Sequence, residues 1–497
     1  ANTTGTRNVA VGASSLDANT TGNYNIAVGN VSLGANTTGS ENTALGDYAL
    51  ADNTTGAQNV AVGKQALGQN TTASDNTAVG FESLMDNTTG TNNTAVGKRA
   101  GYNITTGDDN TAIGQEALYT ATTASDNTAI GFQALYYNTS GASNVAVGWN
   151  ALVNNTTGGT NTGIGYQALT NNTTAAGNTA VGYNALTANT TGTTSVAVGA
   201  YTLDAQTTGT QNTALGYAAM SATTTGNYNT AVGTSALSVH TTGNENTAVG
   251  QGAMIALTSG ANNVAMGNYA LAAVTTTAGN VAIGRYSLAA TTGSYNTGLG
   301  YLTLTACTTA SNNVAVGHQA GTSITTGATN TIVGTSAGDA LTTGDNNVVI
   351  GYGAAVSAVD GTGANVFGRA VSGEAGYTTL GSSSDDIRAA HGNVTWATVS
   401  DERYKKDIVD STAGLSFINA LQPRTFKYKT LGELPETFSA YEADSTEVFK
   451  NSDTNHGFIA QEIKAAIDAD SSIADGFRLW DDRDDGSQEV AEAALIP

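Results

Sequence analysis

The 497-residue sequence has little charge, three prolines and one cysteine, and these shortages exclude several classes of protein. A single cysteine, Cys307, excludes an intrachain disulfide framework. No apolar run reaches the roughly 18 residues that a membrane-spanning helix needs. With 17 basic against 39 acidic residues, the formal charge of −22 argues against nucleic acid or an anionic membrane as a partner.

A short repeat dominates the chain instead. The stretch from Asn76 to Asn92, NTAVGFESLMDNTTGTN, is one of 22 copies of a unit that continues to about residue 372. The glycine of its NTAVG core marks position 0 and recurs every 17 residues from Gly12 to Gly284, then at Gly300 after one 16-residue step, and every 17 residues again to Gly368. A fixed period of this kind predicts a repeat architecture rather than a globular core. The sequence opens inside a unit, as expected of a fragment or a processed chain.

The residues before the marker glycine predict a short β-strand. Position −1 is apolar in every copy, position −3 is Val, Ile or Thr in all but the last, and position −2 is Ala or Gly in most. Alternation with period two and β-branched residues are typical of a strand. We interpret the small residue at −2 as the place where a neighbouring chain approaches closely, which favours an oligomeric rod.

The rest of the unit predicts a second inward position and a turn. Position +4 holds Leu or Met in 17 of the 22 copies, which we assign to a second short strand. The Thr-Thr-Gly near +8 to +10 predicts a turn in which Gly adopts positive φ and the Asn before it bonds the local backbone. In three copies Gly101, Gly321 and Gly338 stand at +4, and the residues at +7 become Ile104, Ile324 and Leu341. Because this exchange conserves core volume, +4 and +7 are predicted to face one interior.

Asparagine at position −4 is present in 20 copies and predicts a hydrogen-bonded ladder along the stacking axis. One coil per unit at a strand spacing of about 4.8 Å gives a rod about 105 Å long. Aromatic residues cluster at +1 and +2, among them Phe132, Trp149, Tyr166 and Tyr183. We interpret them as packing between neighbouring coils or chains, and a sugar-stacking ladder stays open as the alternative. Ice binding is disfavoured because the threonines of Thr-Thr-Gly are adjacent and point apart.

The five-residue core Asn76, Thr77, Ala78, Val79 and Gly80 resembles the head repeats of trimeric autotransporter adhesins, where a similar strand builds a parallel β-roll. The period is longer here. The expected fold is mainly β: a 17-residue-repeat parallel β-solenoid or β-roll over residues 1–372, homotrimeric, with a connector at 373–399 and a small α+β domain at 400–497.

From Ser400 the composition becomes that of an ordinary globular segment. A helix is predicted from Ser411 to Leu421 with Leu415, Ile418 and Leu421 on one face. The segment RTFKYK, residues 424–429, predicts a strand, and HGFIAQEIKAAI, residues 456–467, predicts a strand that passes into a helix.

Three blocks in this region resemble the intramolecular chaperone domain of phage tail fibres and endosialidases. They are Ser400-Asp401-Glu402-Arg403 followed by Lys405, Lys406 and Ile408; Gln422-Pro423 before Phe426; and His456-Gly457-Phe458-Ile459-Ala460-Gln461-Glu462. The resemblance implies trimerisation, assistance in folding the preceding fibre, and one self-cleavage at the opening serine. It also implies that Ser400 is the nucleophile and Lys405 its general base, with Lys406 helping to lower the pKa of Lys405.

Other interpretations of these residues stay open. Ser400, Asp401 and Glu402 also fit a helix N-cap with an acidic first turn. For His456 we favour a structural role, with a role near the cut as the alternative. Members of the family continue into a long C-terminal helix, whereas this sequence stops at Pro497; either the sequence is truncated or that helix was lost.

Three functions compete at this point. The first is a structural fibre or adhesion rod of a phage tail fibre or phage-derived appendage, located on the virion or outside the cell and folded by a chaperone that cleaves itself at most once. The second is a bacterial surface adhesin or extracellular filament built from the same modules. The third, a polysaccharide-degrading fibre, is disfavoured because acidic residues such as Glu82 and Glu116 are scattered at non-equivalent positions. No cofactor, metal or rod-borne enzyme activity is expected, and a host-surface glycan or protein is a further possible partner.

Overall fold

The computed structural model describes residues 2–392, 415–438, 440–449, 452–469, 480–482 and 488–490. It divides into two compact units, Ala1–Gly392 and Asn393–Pro497. The first is a parallel β-solenoid in which each 17-residue unit makes one coil, as the period predicts. The second is small and contains two helices and short antiparallel strand pairs among its described residues.

Each coil contributes one short strand, formed by positions −3 to −1. The strands of the solenoid are Val9–Val11 (β1), Ile26–Val28 (β2), Thr43–Leu45 (β3), Val60–Val62 (β4), Thr77–Val79 (β5), Thr94–Val96 (β6), Thr111–Ile113 (β7), Thr128–Ile130 (β8), Val145–Val147 (β9), Thr162–Ile164 (β10), Thr179–Val181 (β11), Val196–Val198 (β12), Thr213–Leu215 (β13), Thr230–Val232 (β14), Thr247–Val249 (β15), Val264–Met266 (β16), Val281–Ile283 (β17), Thr297–Leu299 (β18), Val314–Val316 (β19), Thr331–Val333 (β20), Val348–Ile350 (β21), Ala355–Val356 (β22), Asn365–Arg369 (β23), Ser372–Gly373 (β24), Tyr377–Ser382 (β25) and Asp385–Ala390 (β26).

The main sheet stacks these strands in chain order. Each pairs in parallel with the next at an offset of one unit, as in Thr77 with Thr94, and β22 and β24 form a separate parallel pair. The one 16-residue unit keeps this alignment, because Val281 still pairs with Thr297. The sheet ends where β26 turns back antiparallel to β25. The charged Asp385, Asp386 and Arg388 on β26 suit a strand at a sheet edge, since charges discourage further pairing.

The second predicted strand exists only in the last two coils, where Ala355–Val356 and Ser372–Gly373 begin at +4 and pair in parallel. In the coils before them the segment from +1 to +6 forms successive turns, so the assignment of position +4 to a second strand is wrong there. Its leucines adopt the left-handed region, with φ of 49° at Leu84, and so do the residues at +2, with φ of 54° at Glu82. These conformations fold the chain tightly enough for one 17-residue unit to close a coil.

The interior is filled from within the chain. Leucine at +4 is buried, and so is the small residue at −2, as shown by Leu84 and Ala78. The interpretation that −2 is small because another chain approaches there is therefore wrong: the alanine faces the leucine column of its own solenoid. The two positions exchange volume late in the rod, where a Cβ on Gly338 at +4 would lie 2.9 Å from the Cδ1 of Ile332 at −2.

The predicted common interior of +4 and +7 is confirmed. Ile104, Ile324 and Leu341 at +7 are all buried. A Cβ on Gly101 would lie 2.9 Å from Leu84 Cδ2 and 3.1 Å from Ile104 Cδ1, so the isoleucine occupies the space that a leucine fills in other coils.

Buried asparagines at −4 connect the coils, which confirms the predicted ladder, and a second column at +7 runs from Asn19 to Asn87 and from Asn138 to Asn189. At −4, Asn76 Oδ1 accepts the backbone N–H of Asn93 at 2.9 Å, and Asn76 Nδ2 donates to the carbonyl of Gly90 at 2.9 Å. At +7, Asn70 Nδ2 donates to Asn53 Oδ1 at 2.8 Å, and it also bonds the local carbonyl of Ala73 at 3.1 Å. The amides thus satisfy backbone groups that the short strands leave unpaired.

The two glycines of each unit have different roles: one adopts a positive φ, and the other lets neighbouring coils approach closely. The marker glycines have φ between 130° and 142°, but the glycine of Thr-Thr-Gly does not adopt positive φ, contrary to our prediction. It is required because a Cβ on Gly90 would lie 2.3 Å from the carbonyl oxygen of Gly107 in the next coil.

In the second unit the described elements are Leu415–Ala420 (α1), Arg424–Phe426 (β27), a 3₁₀ turn at Leu431–Glu433, Asn455–Gly457 (β28), Ala460–Ala469 (α2), Trp480–Asp482 (β29) and Gln488–Val490 (β30). The predicted strand-to-helix passage at 456–467 is confirmed, whereas the strand predicted for 424–429 is shorter. The predicted helix face is wrong in part, because Phe417 is buried and Ile418 is exposed.

Candidate functional site

The described part of the chaperone-like region is built on the antiparallel pair β27–β28 and the helix α2. Thr425 lies opposite His456, and Arg424 lies opposite Gly457. The apolar side of α2 buries Ile463 and Ile467, which fixes the helix within the unit. The blocks around 422–426 and 456–462, which are far apart in sequence, therefore meet on neighbouring strands and the helix that follows them.

His456 is an exposed residue on β28. Its Nδ1 lies 3.4 Å from the hydroxyl of Thr425 on the paired strand. This contact joins the imidazole to the paired strand, and both interpretations of His456 stay predictions.

Glu462 and Arg424 form a two-pronged ion pair between α2 and β27. Arg424 Nη2 donates to Glu462 Oε1 at 2.6 Å, and Arg424 Nε donates to Glu462 Oε2 at 2.9 Å. The hydrogen bonds from Arg424 lower the pKa of the Glu462 carboxyl and raise that of the guanidinium. The pairing fixes the start of the helix against the strand. Sequence reasoning named Glu462 but missed Arg424 as its partner, although both lie in the recognised blocks.

The other predicted residues divide into two groups. Gln461 is exposed in the first turn of α2, and Gly457 ends β28. The predicted nucleophile and base, Ser400 and Lys405, lie outside the described residues, and so do Asp401, Glu402, Arg403 and Lys406. The Ser–Lys pairing therefore stays a prediction.

Aromatic side chains of the solenoid stack on one another between coils. Ring centroids of Trp149 and Tyr166 lie 4.9 Å apart, and those of Tyr166 and Tyr183 lie 5.0 Å apart, with nearly parallel planes. A second column runs through Tyr102, Tyr119 and Tyr136. This arrangement agrees with packing between neighbouring coils. It also weakens the sugar-stacking alternative, because rings that cover each other's faces offer mainly edges.

Two acidic residues of the rod, Glu82 and Glu116, accept hydrogen bonds from side chains of the next coil. Arg99 Nε donates to Glu82 Oε2 at 2.7 Å, and Gln133 Nε2 donates to Glu116 Oε2 at 2.8 Å. Among the residues that the structure describes, no group of three or more His, Cys, Asp or Glu could hold a metal ion.

Two buried ionisable side chains stand at +7, where asparagine is usual. Burial lowers the pKa of His240 to about 4, and its Nδ1 contacts the Thr223 hydroxyl at 3.1 Å. Burial also raises the pKa of the Cys307 thiol. Cys307 is fully buried. His240 was missed by sequence reasoning, although its place in the unit was readable from the period.

No helix in the described parts of the chain has the length and apolar character that crossing a membrane requires.

Comparison with known proteins identifies the region after the solenoid. A family model described as chaperone of endosialidase matches residues 400–470, which confirms the resemblance seen in the sequence blocks. No curated protein and no solved structure matches the chain. A solenoid of 22 coils followed by this chaperone region is the arrangement of a tail-fibre or tail-spike type of structural protein with an intramolecular chaperone. That chaperone family is associated with trimerisation.

Proposed function

We propose that the chain is the rod of a phage tail fibre or phage-derived appendage, which assembles from three identical chains on the virion or outside the cell. The observation that carries the proposal is the order of the parts. An unbroken solenoid, with its interior filled by its own leucine, alanine and asparagine columns, precedes a region that matches a fibre chaperone. The described rod carries bonding between coils throughout, which suits a mechanical spacer.

The chaperone region would align three thin rods that have many equivalent alignments. Each coil has the same strand and the same asparagine ladder, so a chain shifted by one unit loses little on pairing with its neighbour. Association at one end would fix the alignment before the rods pack together. The solenoid would then form from that end.

The chaperone region is also proposed to cut the chain once. In this scheme Lys405 takes the proton of the Ser400 hydroxyl, and the freed oxygen attacks the carbonyl carbon of an adjacent peptide bond. The C–N bond of that peptide then breaks, the amine leaves with the proton held by Lys405, and the carbonyl carbon remains bound to the serine oxygen as an ester. Lysine can serve as the base because a neighbouring positive charge such as Lys406 lowers its pKa. Water then hydrolyses the ester, which gives a new carboxylate and restores the serine hydroxyl. One event per chain completes maturation and requires no substrate pocket.

Two measurements on the full chain test this function. Electron microscopy of the purified protein should show rods about 100 Å long, as 22 coils at strand spacing require. Antibodies to the rod should label virion tails; labelling of bacterial cell surfaces alone would favour the adhesin alternative. Light scattering that gives the mass of one chain would contradict the trimer.

Electrophoresis under denaturing conditions tests the cut. Wild type should lose the C-terminal segment after Ser400, whereas Ser400→Ala and Lys405→Ala should stay full length. Lys464→Ala, a lysine on the exposed side of α2, is the matched control and should be cut normally. Full-length bands for wild type would refute self-cleavage without affecting the rod.

A further inference from the structure

The outward side of the solenoid strands is an apolar surface that runs the length of the rod. We call it the sheet face and define it as positions −3 and −1 of β1–β21 and β23. Position −1 is Val, Ile, Leu, Met or Phe in all 22 coils, and position −3 is Thr, Val or Ile in all but the last, where it is Asn365. Because position −2 faces inward, both outer positions of each strand turn to the same side.

The side chains of the sheet face are left substantially open by the single chain. Leu45 is 47% exposed, Leu215 is 46% exposed and Leu299 is 44% exposed. With 22 coils at about 4.8 Å and a width of about 7 Å between the two rows, the face covers roughly 700 Å². The row at −1 is apolar throughout, and the row at −3 holds threonine in 12 of the 22 coils. A largely apolar and uncharged surface of this size marks an interaction surface.

Charges border the sheet face but never enter it. No Asp, Glu, Lys or Arg occurs at −3 or −1 in any of the 22 coils. The nearest outward positions on either side do carry them, with Asp75, Asp109 and Asp126 at −5 and Lys64 and Lys98 at +1. Covering the face would therefore bury aliphatic and threonine side chains without removing a charge from water.

We propose that the sheet face is the interface along which identical copies of this chain pack side by side, parallel and in register. The inference rests on the proposed function, which supplies the assembly of three chains but not the surface they use. A suitable partner must be apolar along the full length of about 100 Å and must repeat at strand spacing. A second copy of the same face meets both conditions when each coil contacts the equivalent coil of its neighbour.

The size of the face supports association of copies when the residues beside it join the contact. A stable pairwise interface buries about 800 Å² on each partner, whereas the roughly 700 Å² of the sheet face would be shared between two neighbours in an assembly of three. Aromatic residues at +1, such as Trp149, Tyr166 and Tyr183, stand directly beside it and would widen the contact. Around an axis parallel to the rod, each coil meets the equivalent coil of its neighbours, so a residue on the face approaches its own copy.

Cross-linking through single cysteines tests the interface. In the full chain, Leu45→Cys on the face and Thr55→Cys, which is exposed on another side of the same coil, are treated with a short bis-maleimide. Since residue 45 is far from the middle of the rod, only parallel and in-register packing brings it against its own copy. We expect most Leu45→Cys chains to become linked, and Thr55→Cys and wild type, with its buried Cys307, to stay unlinked.

Mass measurement completes the test. Replacing Leu45, Ile164, Leu215 and Leu299 by Glu should reduce the mass from three chains to one while the circular dichroism stays unchanged, because these side chains point away from the core. A three-chain mass with unlinked Leu45→Cys would overturn the proposed face and leave the rod function standing. If the wild-type protein has the mass of one chain, both the proposed three-chain assembly and the proposed interface are wrong. If such single chains also slow the growth of ice, the sheet face is an ice-binding surface instead.

Discussion

Hydrogen bonds from single buried polar side chains stabilise the stacking of each coil on the next. The strands are three residues long, so side chains must satisfy much of the remaining backbone. Asn87 shows the consequence of losing one partner. Its Nδ2 bonds Asn70 Oδ1, but its own Oδ1 is buried without a partner because Ile104 stands at the next position of the column.

Removing one amide at −4 should be costly. Asn161 Oδ1 accepts the N–H of Asn178 at 3.0 Å, and its Nδ2 donates to the carbonyl of Ala175 at 2.8 Å. Asn161→Ala leaves the buried N–H of Asn178 unpaired and removes one of the two hydrogen bonds to the Ala175 carbonyl, which Asn172 Nδ2 also bonds at 3.1 Å. We therefore expect a loss of about 1–3 kcal/mol in unfolding free energy. Urea titration measures it. The control is Asn154→Ala on the outside of a neighbouring coil, which should change stability by less than about 0.5 kcal/mol; equal losses would contradict the ladder.

His240 should make the rod sensitive to acid. Its folded pKa is about 4 against an ordinary value of 6.5, so between these pH values the unfolded chain binds more protons and stability falls as pH falls. We expect about 2 kcal/mol to be lost between pH 7 and pH 5. Hydrogen exchange of amides in this coil, measured at both pH values, checks the loss. His240→Asn restores the usual residue and should abolish the dependence; an unchanged slope would show that His240 is not its source.

At the scale of one coil, the side chains at +4 and +7 share an interior of fixed volume. The pair Gly101 and Ile104 replaces the usual pair of leucine and asparagine. The coil therefore accommodates either pair, and a large or a small residue at both positions should destabilise it.

A double-mutant cycle tests that exchange. Gly101→Leu alone crowds Leu84 and Ile104, and Ile104→Asn alone leaves a cavity, so each should destabilise by about 2–4 kcal/mol. Together they restore the common pair and give Asn87 Oδ1 a partner, so the double variant should regain about 2 kcal/mol relative to the sum. Thermal unfolding of the four proteins provides the cycle. Additive losses would show that the two sites do not share a space.

The sequence predicted the coil, its strand, its inward leucine and the asparagine ladder, because each recurs at a fixed position in many copies. It did not reveal which side of the strand faces inward, since Ala78 and Val79 are both apolar and three residues carry little pattern. The turns from +1 to +6 were also missed. Leucine has no local preference for positive φ, so Leu84 is held there by contacts between coils.

The candidate site was predicted differently. Ser400 and Lys405 were identified by resemblance of whole blocks, since isolated serine and lysine residues carry no periodic signal. The ion pair of Arg424 with Glu462 joins residues 38 positions apart, and nothing local in the sequence indicates such a contact.

At the scale of the whole rod, stability is a sum over neighbouring coils. Each strand pairs only with the strands before and after it. A solenoid of this kind has no central core that must be kept intact.

Deleting one complete unit should therefore be tolerated. Removal of residues 149–165 joins Gly148 to Tyr166 in the same phase and keeps asparagine at −4 and +7 on both sides. We expect a folded rod about 4.8 Å shorter, visible by small-angle X-ray scattering and with unchanged circular dichroism per residue. Removal of residues 149–156 alone breaks the phase and should destabilise the rod. Equal behaviour of the two deletions would contradict the coil assignment.

The alignment of coils also has a genetic consequence. One coil corresponds to 17 codons, and neighbouring units are similar in amino-acid sequence. Unequal crossing-over would then lengthen or shorten the rod by whole coils and leave every strand paired. The 16-residue unit shows that even a lost codon can be absorbed, since Val281 still meets Thr297. Reach is therefore a property that a lineage can change in small heritable steps without redesigning the fold.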